Sequence, residues 1–379
     1  MVRGRVILPL CLCVLLTGCA GRLLPKAVNI AEVELVRTIA VDAGEGGEIS
    51  LTVCGDLQKE NTGGETRPPV LLNEKAETLF GAVSALDGRG EGRLEYGHVE
   101  ECVIGEGLAK AGISQVCDYL ERDGSVRTGT KLFLLQGGTG EQALRTVADA
   151  NTTPTQRLNA FSENRAMGGD HWPFLLRNYL SDTQDNGTAL LPVLELQGKE
   201  LVFSGLGWME QGRLGGYFTQ EESRGVCLLA GYDQKEAWEL ALPEGKAGVQ
   251  LVKSKCSFFP EWDGERLAGI TAKLEVYGKV TQLPQGWDAN NQDQMDRLRQ
   301  IWLDRLQEVC AMALRRSQQE ECDFLHLCRT LVCAHPLWQK RIEDNWKNFP
   351  ELQIKAELSG ELGRTYDTGA AAEMGEGEP

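Results

Sequence analysis

Gly205 to Gly225 reads GLGWMEQGRLGGYFTQEESRG, and the order of its signals decides the kind of fold. A strand from Glu200 reaches Trp208, and Glu210-Gln211-Gly212 supplies a turn. Thr219-Gln220-Glu221-Glu222 is then an [ST]-x-x-E capping box that opens a helix toward Leu229. Gly212 and Gly216 permit turn or close-approach geometry, and Thr219 with Glu222 satisfies orphan helix N–H groups. Hairpins beside capped helices point to a multi-lobed α+β fold with largely antiparallel sheets.

Downstream, Val249 to Cys256 and Ile270 to Leu283 read as long strands, the second alternating at Ile270, Ala272, Leu274, Val276 and Val280. The longest helix carries Met295, Leu298, Trp302, Leu306, Val309 and Ala313 on one face. A second helix is expected from about Glu320 to Cys333. A third places Trp338, Ile342 and Trp346 four apart, and Leu352 to Leu362 alternates as a strand. Upstream, Val33 to Val41 and Glu48 to Val53 flank Gly44-Glu45-Gly46-Gly47, a hairpin signal. Ala76, Leu79, Phe80 and Val83 recur at helical spacing, as do Ile113, Val116, Cys117 and Leu120. Leu94 to Ile104 and Lys131 to Gln136 read as strands between and after them. Short helical pieces fall around Arg157 to Asn164 and Phe174 to Leu180. These patterns divide the chain into an N-terminal α+β domain (19–150), a connecting region or small middle lobe (151–192), a C-terminal α+β domain (193–369) and a disordered acidic tail (370–379).

The first eighteen residues have a different purpose. Arg3 and Arg5 precede an unbroken apolar run from Val6 to Leu16, the length of a signal-peptide core and too short to span a bilayer. Leu16-Thr17-Gly18-Cys19 places Leu, a small residue and Cys as a bacterial lipobox does. Residues 1–18 are therefore expected to be removed and Cys19 to be acylated, holding the chain on the membrane. Loss of Arg3 and Arg5 takes the formal charge from −16 to −18. So acidic a body is repelled by polyanions, which excludes nucleic acid as a partner. Nine cysteines remain after Cys11, Cys13 and Cys19 are set aside. They lie singly in apolar patterns, as small buried hydrophobes do.

Reactive constellations are not found. Cys322, His326, Cys328, Cys333 and His335 crowd together, but without a C-x2-C pair and among leucines, so no metal is expected there. Gly88 to Gly92 and Gly137 to Gly140 lack the phosphate-loop pattern and read as turns. Ser204 lacks the nucleophile elbow, and adjacent carboxylates such as Glu100-Glu101 read as solvated or capping groups. The expectation is a non-enzyme without cofactors.

The opening stretch resembles the Ger(x)C family of spore germination lipoproteins, the C subunits of germinant receptors. Gly205-Leu206, Leu214, Gly216, Thr219, Glu222, Ser223 and Gly225 fit its pattern. Trp208-Met209 stand where Val-Phe is usual, and Gly215 replaces an aliphatic residue. Glu34 to Asp42 is similar to the family's first strand, with Ala40-Val41 departing from a usual G-I-D ending. Gly97-His98 with Val103 to Ala109, and Asp323-Phe324-Leu325 with His335 to Trp338, Asn345-Trp346 and Phe349-Pro350, are similar to later segments. The resemblance implies three mixed α/β lobes and a location on the outer face of the spore inner membrane. It also implies integral A and B subunits as partners. Gly205, Leu214, Gly216, Thr219, Glu222 and Gly225 read physically as scaffold. The residues alone leave open an extracytoplasmic solute-binding lipoprotein of a transporter, which would need two doubly wound lobes, and, third, a lipid-anchored envelope hydrolase.

Overall fold

A computed structural model describes residues 33–55, 70–89, 93–124, 126–149, 153–163, 175–232 and 236–363. The expected signal segment, Cys19 and the acidic tail lie outside these residues. Two sheets organise the chain. The first contains β1 (Val33–Ala43), β2 (Ile49–Gly55), β3 (Val70–Ala76), β4 (Arg93–Glu95), β5 (Glu101–Gly105), β6 (Lys131–Gln136), β7 (Thr188–Gln197), β8 (Glu200–Glu210) and β9 (Arg213–Tyr217). Its order is β3-β2-β1-β5-β6-β7-β8-β9, with β4 added beside β1. The wings are antiparallel hairpins, whereas β1, β5, β6 and β7 run parallel at the centre. Parallel neighbours need crossover connections, and helices supply them.

Helices α1 (Leu79–Asp87), α2 (Glu106–Ala111), α3 (Ser114–Asp123), α4 (Gly140–Asp149), α5 (Pro154–Glu163) and α6 (Leu176–Asn186) lie within this part of the chain. Both sheet faces are buried. Ile39, Val41, Cys102, Ile104, Leu132, Leu134 and Leu191 pack on one side with α1, α3 and α6. Ala40, Val103, Phe133, Leu135, Leu190 and Leu206 pack on the other with α4 and α5. Double burial explains why these strands read as apolar runs rather than clean alternations.

The second sheet, β10 (Ala237–Leu242), β11 (Gly245–Asp263), β12 (Arg266–Gln282) and β13 (Gln353–Gly363), is an antiparallel meander joined by a parallel fourth strand. Between β9 and β10 lies α7 (Gln220–Ala230). Between β12 and β13 lie α8 (Gln292–Gln319), α9 (Leu327–Ala334) and α10 (Gln339–Asn345). All six apolar positions expected on the long helix are buried, and so are the five alternating positions of β12. The hydrophobic residues of this half are continuous with the α4–α5 side of the first sheet, making one core across both halves.

The α+β class and the antiparallel hairpins are as expected. Several local expectations need correction. Ala76 ends β3, and Phe80 on α1 is exposed while Ala82 and Leu86 fill the core, so that apolar repeat straddles a strand and a helix. Leu94 to Ile104 is broken by a 3-10 turn at Tyr96–His98. The helix expected from Glu320 begins at Leu327, because Glu321 and His326 adopt positive φ and Asp323 caps the later start. The expected C-terminal domain shares the first sheet with the N-terminal one, since β7 pairs with β6 and β8 with β7.

Asp42 explains the glycines at the centre. It lies at the end of β1 and accepts hydrogen bonds from Gly140 N–H (2.7 Å) and Glu141 N–H (3.0 Å) in the first turn of α4. Burial raises its pKa, opposed by those two bonds. A Cβ on Gly105 would collide with this carboxylate. The helix N-terminus that a phosphate loop would offer is thus filled by the protein's own carboxyl group.

Candidate functional site

The segment from Gly205 to Gly225 forms the joint between the two sheets. Gly205 has φ +134° at an irregularity in the β7–β8 pairing, a conformation that L side chains rarely adopt. Next to it, Leu206 N–H donates to Ser223 Oγ at 3.0 Å, which ties β8 to α7. Thr219 Oγ1 accepts from Glu222 N–H (3.2 Å) while Glu222 Oε2 accepts from Thr219 N–H (2.8 Å), so the capping box is complete. Gly225 faces α8 so closely that a Cβ there would overlap the Val309 carbonyl. Leu214 is half-buried against the α1–α3 side of the first sheet.

Trp208 occupies the centre of this joint, 2% exposed. Its ring lies 4.9 Å from Phe218 and 5.7 Å from Phe324, with the Arg316 guanidinium 5.2 Å above it. β8 and β9 shift register after Trp208, and a Cβ at Gly215 or Gly216 would enter the indole ring. The two family departures, Trp at 208 and Gly at 215, are therefore one exchange: the larger ring takes the space that an aliphatic side chain would fill. Gly215→Val is expected to be strongly destabilising alone and much milder combined with Trp208→Val. A double-mutant cycle by denaturant unfolding should give a coupling of about 1–3 kcal/mol. Additive effects would refute the exchange.

Charges surround the joint in pairs. Arg305 meets Glu221, Arg316 lies 3.8 Å from Glu222 and Arg224 Nε lies 2.5 Å from Glu236. Burial pushes Glu236 up to about 7, with Arg224 pulling the other way. The structure thus brings Gly205, Gly216, Thr219, Glu222 and Gly225 to one joint, where they set backbone geometry and helix capping. The Thr219 hydroxyl also donates to Glu222 Oε2 at 3.0 Å, but both groups are engaged in capping α7.

The cysteine and histidine residues near the end have other partners. His326 Nε2 lies 3.1 Å from the Thr188 carbonyl oxygen and 3.2 Å from Thr188 Oγ1. Asp323 accepts from Leu327 N–H (2.8 Å) and Cys328 N–H (3.0 Å). Among the described residues, no group of three or more His, Cys, Asp or Glu could hold a metal ion. Most of the nine cysteines are buried, while Cys333 is exposed.

One buried polar cluster was not anticipated. Glu101, expected to be solvated or capping, is 0% exposed on β5. Thr38 Oγ1 donates to its Oε2 at 3.1 Å and lies 2.8 Å from Thr155 Oγ1 on α5. Lys131 Nζ stands 4.0 Å from its Oε1. Glu100 pairs with Arg37 and accepts from Asn159 Nδ2 at 3.0 Å, and Lys131 donates to Asn159 Oδ1 at 2.5 Å. Burial is the main cause pushing the Glu101 carboxyl up to about 8, against the pull of Lys131. The signal in sequence was its place directly before the apolar Cys102-Val103-Ile104.

Two family descriptions match nearly end to end. Residues 26–196 match the spore germination protein N-terminal domain, and residues 204–366 match the spore germination B3/GerAC-like C-terminal domain. The chain belongs to the GerAC-like family of spore germination proteins. The boundary between the GerAC-like halves falls in the β7–β8 hairpin, so the C-terminal half supplies two strands to the first sheet. Among relatives, YfkR of Bacillus subtilis (strain 168), a protein named for spore germination, is 23% identical over 308 residues, covering 76% of this chain and 77% of that one. The crystal structure of the GerBC protein aligns with TM-score 0.57 and 16% identity, covering 86% of this chain and 96% of that one. The GerAC-like fold is thus shared at low identity.

Proposed function

We propose that this chain is the lipid-anchored C-type subunit of a nutrient germinant receptor. Acylated Cys19 holds it on the outer face of the spore inner membrane, and it acts by binding integral A and B subunits rather than by catalysis. The observation that carries this reading is the match of both family segments across residues 26–366, following a lipobox at Leu16 to Cys19. The scaffold roles of the motif residues support it, since Gly205, Gly216, Thr219, Glu222 and Gly225 are all accounted for by packing and capping. No helix among the described residues is long and apolar enough to cross a membrane. Confinement near the bilayer raises the effective concentration toward membrane partners, so modest interfaces suffice.

Cys19→Ala tests this directly. Labelling by a fatty-acid probe should disappear, the protein should leave the membrane fraction, and recovery of receptor with its neighbouring membrane proteins should fall. Unchanged labelling, or full assembly and germination by the unlipidated protein, would overturn the proposal.

A further inference from the structure

Among the described residues, only one face of the second sheet is covered. Leu274, Val276 and Val280 are buried toward α8, whereas Lys273, Glu275, Tyr277 and Lys279 point to the other side and are exposed. Among the large apolar side chains exposed on the described residues, Phe259 and Tyr277 both lie on this open face. Here Lys253, Lys255, Glu275, Tyr277, Ser359 and Glu361 line the open-face part of a cleft of about 620 Å³ that continues round the edge strand β13 to Arg299 and Leu303 of α8 on the other face. That volume is within the range of ligand sites.

Register arranges the lining. Tyr277 on β12 stands directly between Lys253 on β11 and Glu361 on β13, and Lys255, Glu275 and Ser359 form the adjacent row. Strands are about 4.8 Å apart, so Lys253 and Glu361 are separated by about 10 Å with the phenol ring between them. At the far end of the same face the charges satisfy each other: Lys355 pairs with Glu261 (3.1 Å) and Glu357 (3.4 Å), and Lys273 lies 5.2 Å over the Phe259 ring. In the cleft they do not. Among the described residues, no ion pair or hydrogen bond engages the side chains of Lys253, Lys255 or Glu361. A cation and an anion on opposite sides of an exposed aromatic ring thus wait for complementary charges.

We propose that this cleft docks an extended segment of a protein partner that carries an acidic and a basic side chain three residues apart. A polyproline-II-like chain repeats its side-chain direction every three residues and advances about 9 Å in doing so, close to the Lys253–Glu361 separation. Its acidic group meets Lys253, its basic group meets Glu361, and its backbone rests on Tyr277, as such chains rest on aromatic-lined grooves. The inference relies on the subunit reading above and adds the surface through which it works.

The test uses the full-length lipoprotein in detergent. Fluorescent peptides that overlap along the outward loops of the membrane proteins encoded beside it are titrated and followed by anisotropy. Peptides with opposite charges three apart should bind. Lys253→Glu should weaken them about tenfold or more, and Lys253→Glu combined with Glu361→Lys should favour peptides whose two charges are exchanged, all without a change in thermal unfolding. Binding that ignores both substitutions would overturn the proposal, as would complete competition by a free zwitterionic dipeptide, which would make this a small-molecule site. If wild type co-purifies with those membrane proteins yet no peptide binds, the cleft is wrong and the subunit reading stands. If it co-purifies with none, the subunit reading falls and the cleft with it.

Discussion

Gly225→Ala is expected to unfold the joint. A methyl group there would overlap the Val309 carbonyl oxygen, stand 2.6 Å from its carbonyl carbon and meet Ala313 Cβ at 3.1 Å. Two of these atoms are α8 backbone, so no side-chain rotation relieves the overlap; α7 and α8 must separate. Their contact carries Val226, Leu229, Leu306 and Val309, all buried, so separation opens the core. The cost should be about 3 kcal/mol or more in denaturant unfolding. Gly231→Ala is the control. Gly231 has φ +71° at the end of α7 with nothing near its absent Cβ, so only backbone strain of about 1 kcal/mol is at stake. Equal effects at the two positions would show that the close approach of α7 and α8 is not what requires the glycine.

Glu101→Gln should stabilise the protein, and increasingly so as pH rises. Burial lifts the carboxyl from its ordinary 4.5 to about 8, so between those values the folded state holds a proton that the unfolded state has released. Stability contributed by this group is therefore complete below pH 4.5 and is lost as pH rises toward 8. Each pKa unit is worth about 1.4 kcal/mol, so the loss over that window is roughly 3–5 kcal/mol. Glutamine keeps the shape and a hydrogen-bonding oxygen for Thr38 without the titration. The difference in unfolding free energy between variant and wild type should climb from pH 4.5 and level off above 8. A difference that is flat with pH would mean that Glu101 is not protonated in the folded protein.

Local chemistry was legible where a short pattern has one physical meaning. Thr219 to Glu222 forms the reciprocal cap that its spacing demands, and Ile270 to Val280 alternates as a half-buried strand must. The long helix declared its buried stripe from Met295 to Ala313. The parallel centre of the first sheet was not legible. β5, β6 and β7 are buried on both faces, so Val103, Phe133 and Leu190 on one side alternate with Ile104, Leu134 and Leu191 on the other and leave no periodicity. Pairing partners of such strands are chosen by helices that the sequence places only loosely. Glu101 stayed hidden for a related reason: a carboxylate in an acidic chain reads as solvated unless both faces of its strand are known to be covered. The glycine requirement at 215 was visible only as a departure, because its cause is the Trp208 ring across a hairpin.

The hairpin where the two family segments meet has a consequence for the order in which the molecule can be completed. A chain delivered from its N-terminus presents residues through Gln197 first, and at that moment β7 has β6 on one side and nothing on the other. Its outer backbone groups remain open until Glu200 to Tyr217 arrive to form β8 and β9. An open strand edge invites pairing with another copy. The first half is therefore at its most adhesive just before the second half begins. Tight β7–β8 turn geometry at Gly198, with φ +64°, shortens that interval by returning the chain at once. A cut between the two family segments would make the exposure permanent, so the halves are better regarded as successive stages of one assembly than as modules to be exchanged.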